Sequence, residues 1–187
     1  MYLEVAPLAT QGDILSVDEL KEHLRVTSTD DNSLIAAYRD AALSYVADYC
    51  NLILGDTTAT LYLDAFPAMV EIPAAPVTAV TGVTYLDANN VSQTLSTASY
   101  WVDVKRRPAR VTFSSVPATY VDAHNAVQIA CTIGIPEADV PESIKQAVRI
   151  MVAELYRERE ASSPAMLHKN PYGIQALLNP HRVISFK

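Results

Sequence analysis

The sequence predicts an α+β fold: an antiparallel-packed helical body, an antiparallel β-sheet or partial barrel inserted into it, and an extended C-terminal arm. Three observations carry this. Ser16–Tyr49 and Pro141–Glu160 both show apolar residues at helical spacing. The sequence between them turns to short runs rich in Val, Thr, Tyr and Ile, separated by turn residues. After a Ser-Ser-Pro linker at 162–164, the chain ends in a tail unusually rich in large apolar residues. On this reading residues 1–160 are a helical body with helices near 16–25, 31–50 and 141–160 and a β insertion at about 57–135, and residues 161–187 are a docking arm.

Met1–Leu15 shows no period and reads as an extended lead-in. Ser16 followed by Glu19 is a capping-box pattern, in which the hydroxyl accepts from the N3 amide and the carboxylate returns to the cap. Val17, Leu20 and Leu24 then line a short helix. Thr27–Asp31 breaks it, and Asp30 or Asp31 is placed to cap the next helix. There Leu34, Ile35, Tyr38, Ala41, Ala42, Tyr45, Val46 and Tyr49 form the expected buried stripe, and Asn51 supplies a left-handed stop.

Strands are expected at 58–63, 77–86, 91–95, 100–104, 109–114 and 126–135, with turns at Asp87–Asn90 and Lys105–Pro108. Helical sequence returns after Pro141, with Ile144, Ala147, Val148, Met151, Val152 and Leu155 facing inward. A last helical piece, Gly173–Leu178, lies between Pro171 and Pro180.

Composition excludes several classes. Half of the 187 residues are hydrophobic and 19% are charged, which is globular rather than disordered. No apolar run approaches the roughly 20 residues of a membrane helix, so no membrane partner is expected. Cys50 and Cys131 match no metal spacing and read as buried thiols. There is no phosphate-cradling glycine motif and no nucleophile elbow. The four histidines are scattered. No catalytic, metal-binding or cofactor-binding set is therefore expected, and no cofactor. The weak enzyme alternative, a small hydrolase using Asp87, Asp103 or His124, has no spacing to support it.

Charge is uneven within the net −7: residues 1–64 hold 11 acidic and 3 basic side chains, whereas 161–187 hold Lys169, Arg182 and Lys187 and no acid. An acidic front and a basic tail suit attraction between neighbouring copies. Lys105, Arg106 and Arg107, with Arg110 nearby, make a basic hairpin tip. It reads either as a contact for DNA phosphates or an acidic partner, or as a solvated turn charged against edge-to-edge association. The tail's Tyr172, Ile174, Leu177, Leu178, Val183, Ile184 and Phe186 need a covering surface, either the chain's own body or another subunit.

Four stretches in order, VDELKEHLRV with DDNSLIAAYRDAALSYVADYC, VEIPAAPVTAVTGVTYLDANNVSQTL, VPESIKQAVRIMVAELYRERE and NPYGIQALLNPHRV, resemble the head–tail connector (adaptor, or head-completion) proteins of long-tailed bacteriophages, in the longer form with a β insertion. Cys50-Asn51 departs from the Thr-Gly helix stop usual there. The resemblance implies a non-enzymatic component of the virion neck, assembled in the host cytoplasm. It implies a ring of identical copies, dodecameric, that docks on the portal protein, extends the DNA channel and offers a surface to a stopper or tail-terminator protein. Packaged DNA would pass through without sequence-specific binding. The implied portal-docking arm is Asn170–Lys187, with Tyr172, Ile174, Leu177, Leu178, Arg182 and Phe186 as its contacts, and helical edges would join the subunits. The basic tip at Lys105, Arg106, Arg107 and Arg110 remains the basis of an alternative reading as a DNA-binding module.

Overall fold

The computed structural model describes residues 1–6, 14–120, 123–157 and 171–183. These fall into two compact units, one drawn from the described residues of 1–6 and 56–134, the other from those of 14–55 and 135–183.

The second unit is helical. Helix α1 spans Val17–Leu24 and opens with the predicted capping box: Glu19 N–H donates to Ser16 Oγ at 3.2 Å, and Ser16 N–H donates to Glu19 Oε2 at 2.8 Å. It stops at Arg25, held at φ 56°. Helix α2 spans Asn32–Cys50 and ends, as expected, on a left-handed Asn51 at φ 53°. Its start differs from expectation. Asp31 is the N-cap but makes no capping hydrogen bond to the backbone. Its Oδ2 instead accepts from Tyr156 Oη at 2.6 Å, spending the carboxylate on a tertiary link.

The buried face of α2 also differs, consisting of Ile35, Ala42, Leu43, Val46 and Cys50, with Ala41 and Tyr45 turned to solvent. Ala37, Ala41 and Tyr45 carry apolar side chains beyond the buried stripe, so the period leaves the inward angle loosely determined, and packing against α3 decides it. Helix α3 spans Glu142–Arg157 and buries Ile144, Ala147, Val148 and Val152, four of the six expected positions. Met151 and Leu155 are half-buried. Residues 158–160, given to this helix from sequence, lie outside the described residues. Helix α4 spans Pro171–Leu178 and lies against α3 and α2.

The first unit holds all eight strands among the described residues. A five-stranded antiparallel sheet runs in the order β1 (Tyr2–Val5), β2 (Thr57–Leu63), β8 (Val127–Ile133), β4 (Val77–Leu86) and β5 (Ser92–Thr94). A three-stranded antiparallel sheet runs β3 (Met69–Glu71), β7 (Arg110–Phe113), β6 (Tyr100–Asp103). Two strands escape the sequence reading. β1 is four residues long and recruits the expected lead-in to the sheet edge, and β3 has only three residues.

Strict alternation in β2 and β8 buries Ala59, Leu61 and Leu63 with Val127, Ile129, Cys131 and Ile133 on one face. Phe66 stands between Tyr85 of the larger sheet and Phe113 of the smaller, at ring-centroid distances of 5.6 and 5.2 Å. The two chain crossings between units sit beside one another. Gly55 N–H donates to Ile135 O at 2.7 Å, and Ile135 N–H donates to Ile53 O at 2.9 Å.

Candidate interaction surfaces

The C-terminal segment is strapped to the helical unit. Leu178 is fully buried, the deepest anchor of α4. Beyond it, Tyr49 Oη donates to Asn179 Oδ1 at 2.8 Å, and Val183 N–H donates to Cys50 O at 2.8 Å. Ser143 Oγ and His181 Nε2 share a hydrogen bond of 2.7 Å. The Arg182 guanidinium lies over the Tyr49 ring, 5.3 Å from its centroid, and Tyr49 stacks in turn on Tyr45. The last turns of the chain thus close over the C-terminal end of α2, where a cation is favoured by the helix dipole.

Of the six arm residues singled out from sequence, Leu178 is already covered by the chain's own helices and is not free for a partner while α4 stays docked. Ile174 and Leu177 are half-buried, and Arg182 is exposed. Tyr172 belongs to α4 by its backbone, and Phe186 lies outside the described residues, as do Lys169, Asn170, Ile184 and Lys187. The sequence reading missed Tyr49, Asn179 and His181 as strap residues. Polar partners 130 positions apart leave no periodic signal.

The basic tip is built by the β6–β7 hairpin. Asp103 Oδ1 accepts from the N–H groups of Lys105 at 3.1 Å and Arg106 at 3.3 Å, which folds the turn. Glu71 of β3 pairs with Arg110 at 3.1 Å and Arg106 at 3.7 Å. Two of the four cations are therefore partly neutralised by a strand the sequence reading did not find. Lys105 and Arg107 are exposed and make no ion pair among the described residues.

The candidate hydrolytic residues are turn residues. The Asp87 carboxylate accepts from the N–H groups of Val91 and Asn89 and from the Gln93 amide, and those bonds, Val91's first, hold it below the usual carboxylate range. Asp103 is used by the hairpin turn, and His124 is exposed. Among the described residues no cluster of three His, Cys, Asp or Glu side chains could hold a metal. Both thiols are buried and free, and burial pushes Cys131 up to about 11 and raises Cys50. Neither is poised as a nucleophile.

No helix is long and apolar enough to cross a membrane among the described residues. What the molecule displays is a strapped tail, a basic hairpin and exposed apolar side chains.

Comparison with known proteins agrees. A family model described as Phage gp6-like head-tail connector protein matches residues 14–125, more than half of the chain. A chain from the neck of an empty GTA particle, computed with C6 symmetry, superposes with a TM-score of 0.76 at 24% identity, over 100% of this chain and 98% of that one. A chain from the virion of a native gene transfer agent particle gives the same values. One from the neck of the native particle, computed with C12 symmetry, gives 0.74 at 23%, with the same coverage. These likenesses speak for a shared fold over the whole chain. Among curated proteins, none matches this sequence.

Proposed function

We propose that this chain, which belongs to the phage gp6-like head-tail connector family and is a structural connector protein, forms a ring in the virion neck between the portal protein and the next neck component. The family match carries the reading. It is supported by the likeness in fold to subunits of neck structures computed with C6 and C12 symmetry. A ring of identical copies needs two different patches on each subunit, and the separation of acidic and basic residues along this chain supplies them.

In this reading the C-terminal arm engages the portal through Tyr172, Ile174, Leu177, Arg182 and Phe186, with Leu178 rooting α4 in the helical unit. A stopper or tail-terminator protein takes the opposite rim, and twelve copies close the ring. DNA passes through without sequence-specific contact, helped by the chain's acidic balance, since like charge keeps the backbone from sticking.

The test is negative-stain imaging of the purified chain with and without its portal. End-on rings on the portal are expected, and a double change of half-buried tail residues, Ile174→Ser with Leu177→Ser, should remove them while the free chain stays folded by circular dichroism. A wild-type chain that never decorates the portal would overturn the reading. Rings formed equally well by the double variant would sink the arm assignment alone.

A further inference from the structure

The outer face of the small sheet carries a side-chain set that the helical unit and the tail do not explain. The register places Trp101 of β6, Thr112 of β7 and Met69 of β3 in one row across the sheet. The next row on the same face is Asp103, Arg110 and Glu71, because residues two apart on a strand point the same way. In the alternate row Val111 and Val70 are buried, while Val102 on the outer strand is 36% exposed. Trp101 is 65% exposed and Met69 43% exposed, so an exposed tryptophan and an exposed methionine flank a half-buried threonine. Beside them the Glu71–Arg110 and Glu71–Arg106 pairs tie β3 to the hairpin, and Lys105 and Arg107 are exposed at its tip. Trp, Met and Arg are the residue types enriched where proteins bind proteins.

We infer that this face is one half of the contact between neighbouring copies of the chain, and that the other half is the β1 edge of the next copy; the inference rests on the ring reading above. The β1 edge is complementary in kind. Among the described residues β1 pairs only with β2; on it Tyr2 is 62% exposed and stacks on Tyr62, whose hydroxyl donates to Glu4 Oε2 at 2.9 Å. Val5 is exposed at its end, and Asp64 follows β2 immediately. One patch is aromatic and cationic, the other aromatic and anionic. Two unlike patches on one chain are what a closed heterologous ring requires.

Charge selects the occupant. Glu4 on β1 and Asp64 just past β2 put exposed carboxylates at this edge, so every copy offers the basic tip an acidic partner. DNA suits the face less well. Glu71 and Asp103 stand among its arginines, and two carboxylates beside a phosphate would cost much of what four cations give.

The experiment places a photo-crosslinking phenylalanine analogue at position 101 of the full chain and irradiates assembled rings. Chain-to-chain products, with the partner peptide falling in β1 or β2 (residues 1–6 or 57–64), are expected. A second arm pairs Lys105→Glu with Arg107→Glu, which should raise the concentration for half-assembly by at least about tenfold, with recovery when mixed copies carry Glu4→Lys. Rings visible by imaging but with products only to DNA, to another protein or to none overturn the inference and leave the connector reading intact. No wild-type rings at all overturn both. Because Trp101, Lys105 and Arg107 are solvent-exposed, loss of fold does not confound the outcome.

Discussion

At the scale of single residues, the clearest correspondence is the capping box. Ser16 and Glu19 satisfy each other's backbone N–H groups, and these bonds to Ser16, the backbone one first, hold the Glu19 carboxyl below its ordinary value of 4.5. A carboxyl depressed in the folded state adds stability above the unfolded pKa and loses it as the pH falls through the folded value. Ser16→Ala should therefore cost about 1 kcal/mol in urea denaturation at neutral pH. The gap to wild type should narrow as the pH drops below 4.5. Because the variant keeps the backbone N–H of residue 16, a gap that stays constant to acid pH would show that the Ser16 hydroxyl does nothing for the Glu19 carboxylate. Asp31 teaches the opposite lesson. Its position at the helix start was legible, but its carboxylate is taken by Tyr156, 125 residues away, which no local rule anticipates.

At the scale of elements, legibility followed length and patterning. α1, α2, the start of α3 and the longer strands carry several turns or alternations each, so sequence reading places them within a residue or two. β1 and β3, of four and three residues, are too short to show a period and are made strands by the partners they pair with. Missing β3 also hid the Glu71 that tempers the basic tip. α4 shows the limit of composition. The apolar tail announced that it needed cover, but whether that cover was its own body was undecidable until Leu178 appeared buried and Val183 bonded to Cys50. If that strap holds in the free chain, Leu178→Ala should destabilise the helical unit by about 2–5 kcal/mol. It should also raise hydrogen exchange at the backbone of residues 174–183 more than in β8. A loss below about 0.5 kcal/mol would mean that α4 is undocked before assembly.

At the scale of the whole molecule, the chain interrupts one unit to build another. The core of the helical unit, from Ile14 and Leu15 through Ile35, Val46 and Leu54 to Ile144, Val148, Val152 and Leu178, comes wholly from the flanks of the insertion. That of the sheet unit, including Leu61, Ile72, Val83, Val111 and Ile129, comes wholly from within it. The exits are matched: residues 53–55 and Ile135 exchange two backbone hydrogen bonds, and glycines stand at both crossings, Gly55 at φ 96° and Gly134 at φ 107°. Those angles are strained for any residue with a Cβ, so the crossings are built into the backbone rather than improvised by packing. Ends already held together make the insertion removable at small entropic cost. A chain running 10–55, then a short Gly-Ser linker, then 135–187, should keep a helical circular-dichroism spectrum and a cooperative thermal transition. A broad, non-cooperative melt would show that the helical unit depends on the sheet unit for its fold. A folded variant would then isolate the two roles argued here. It should still bind the portal through its arm, but it should not close a ring, because both halves of the inferred contact between copies, the Trp101 face and the β1 edge, leave with the sheet unit.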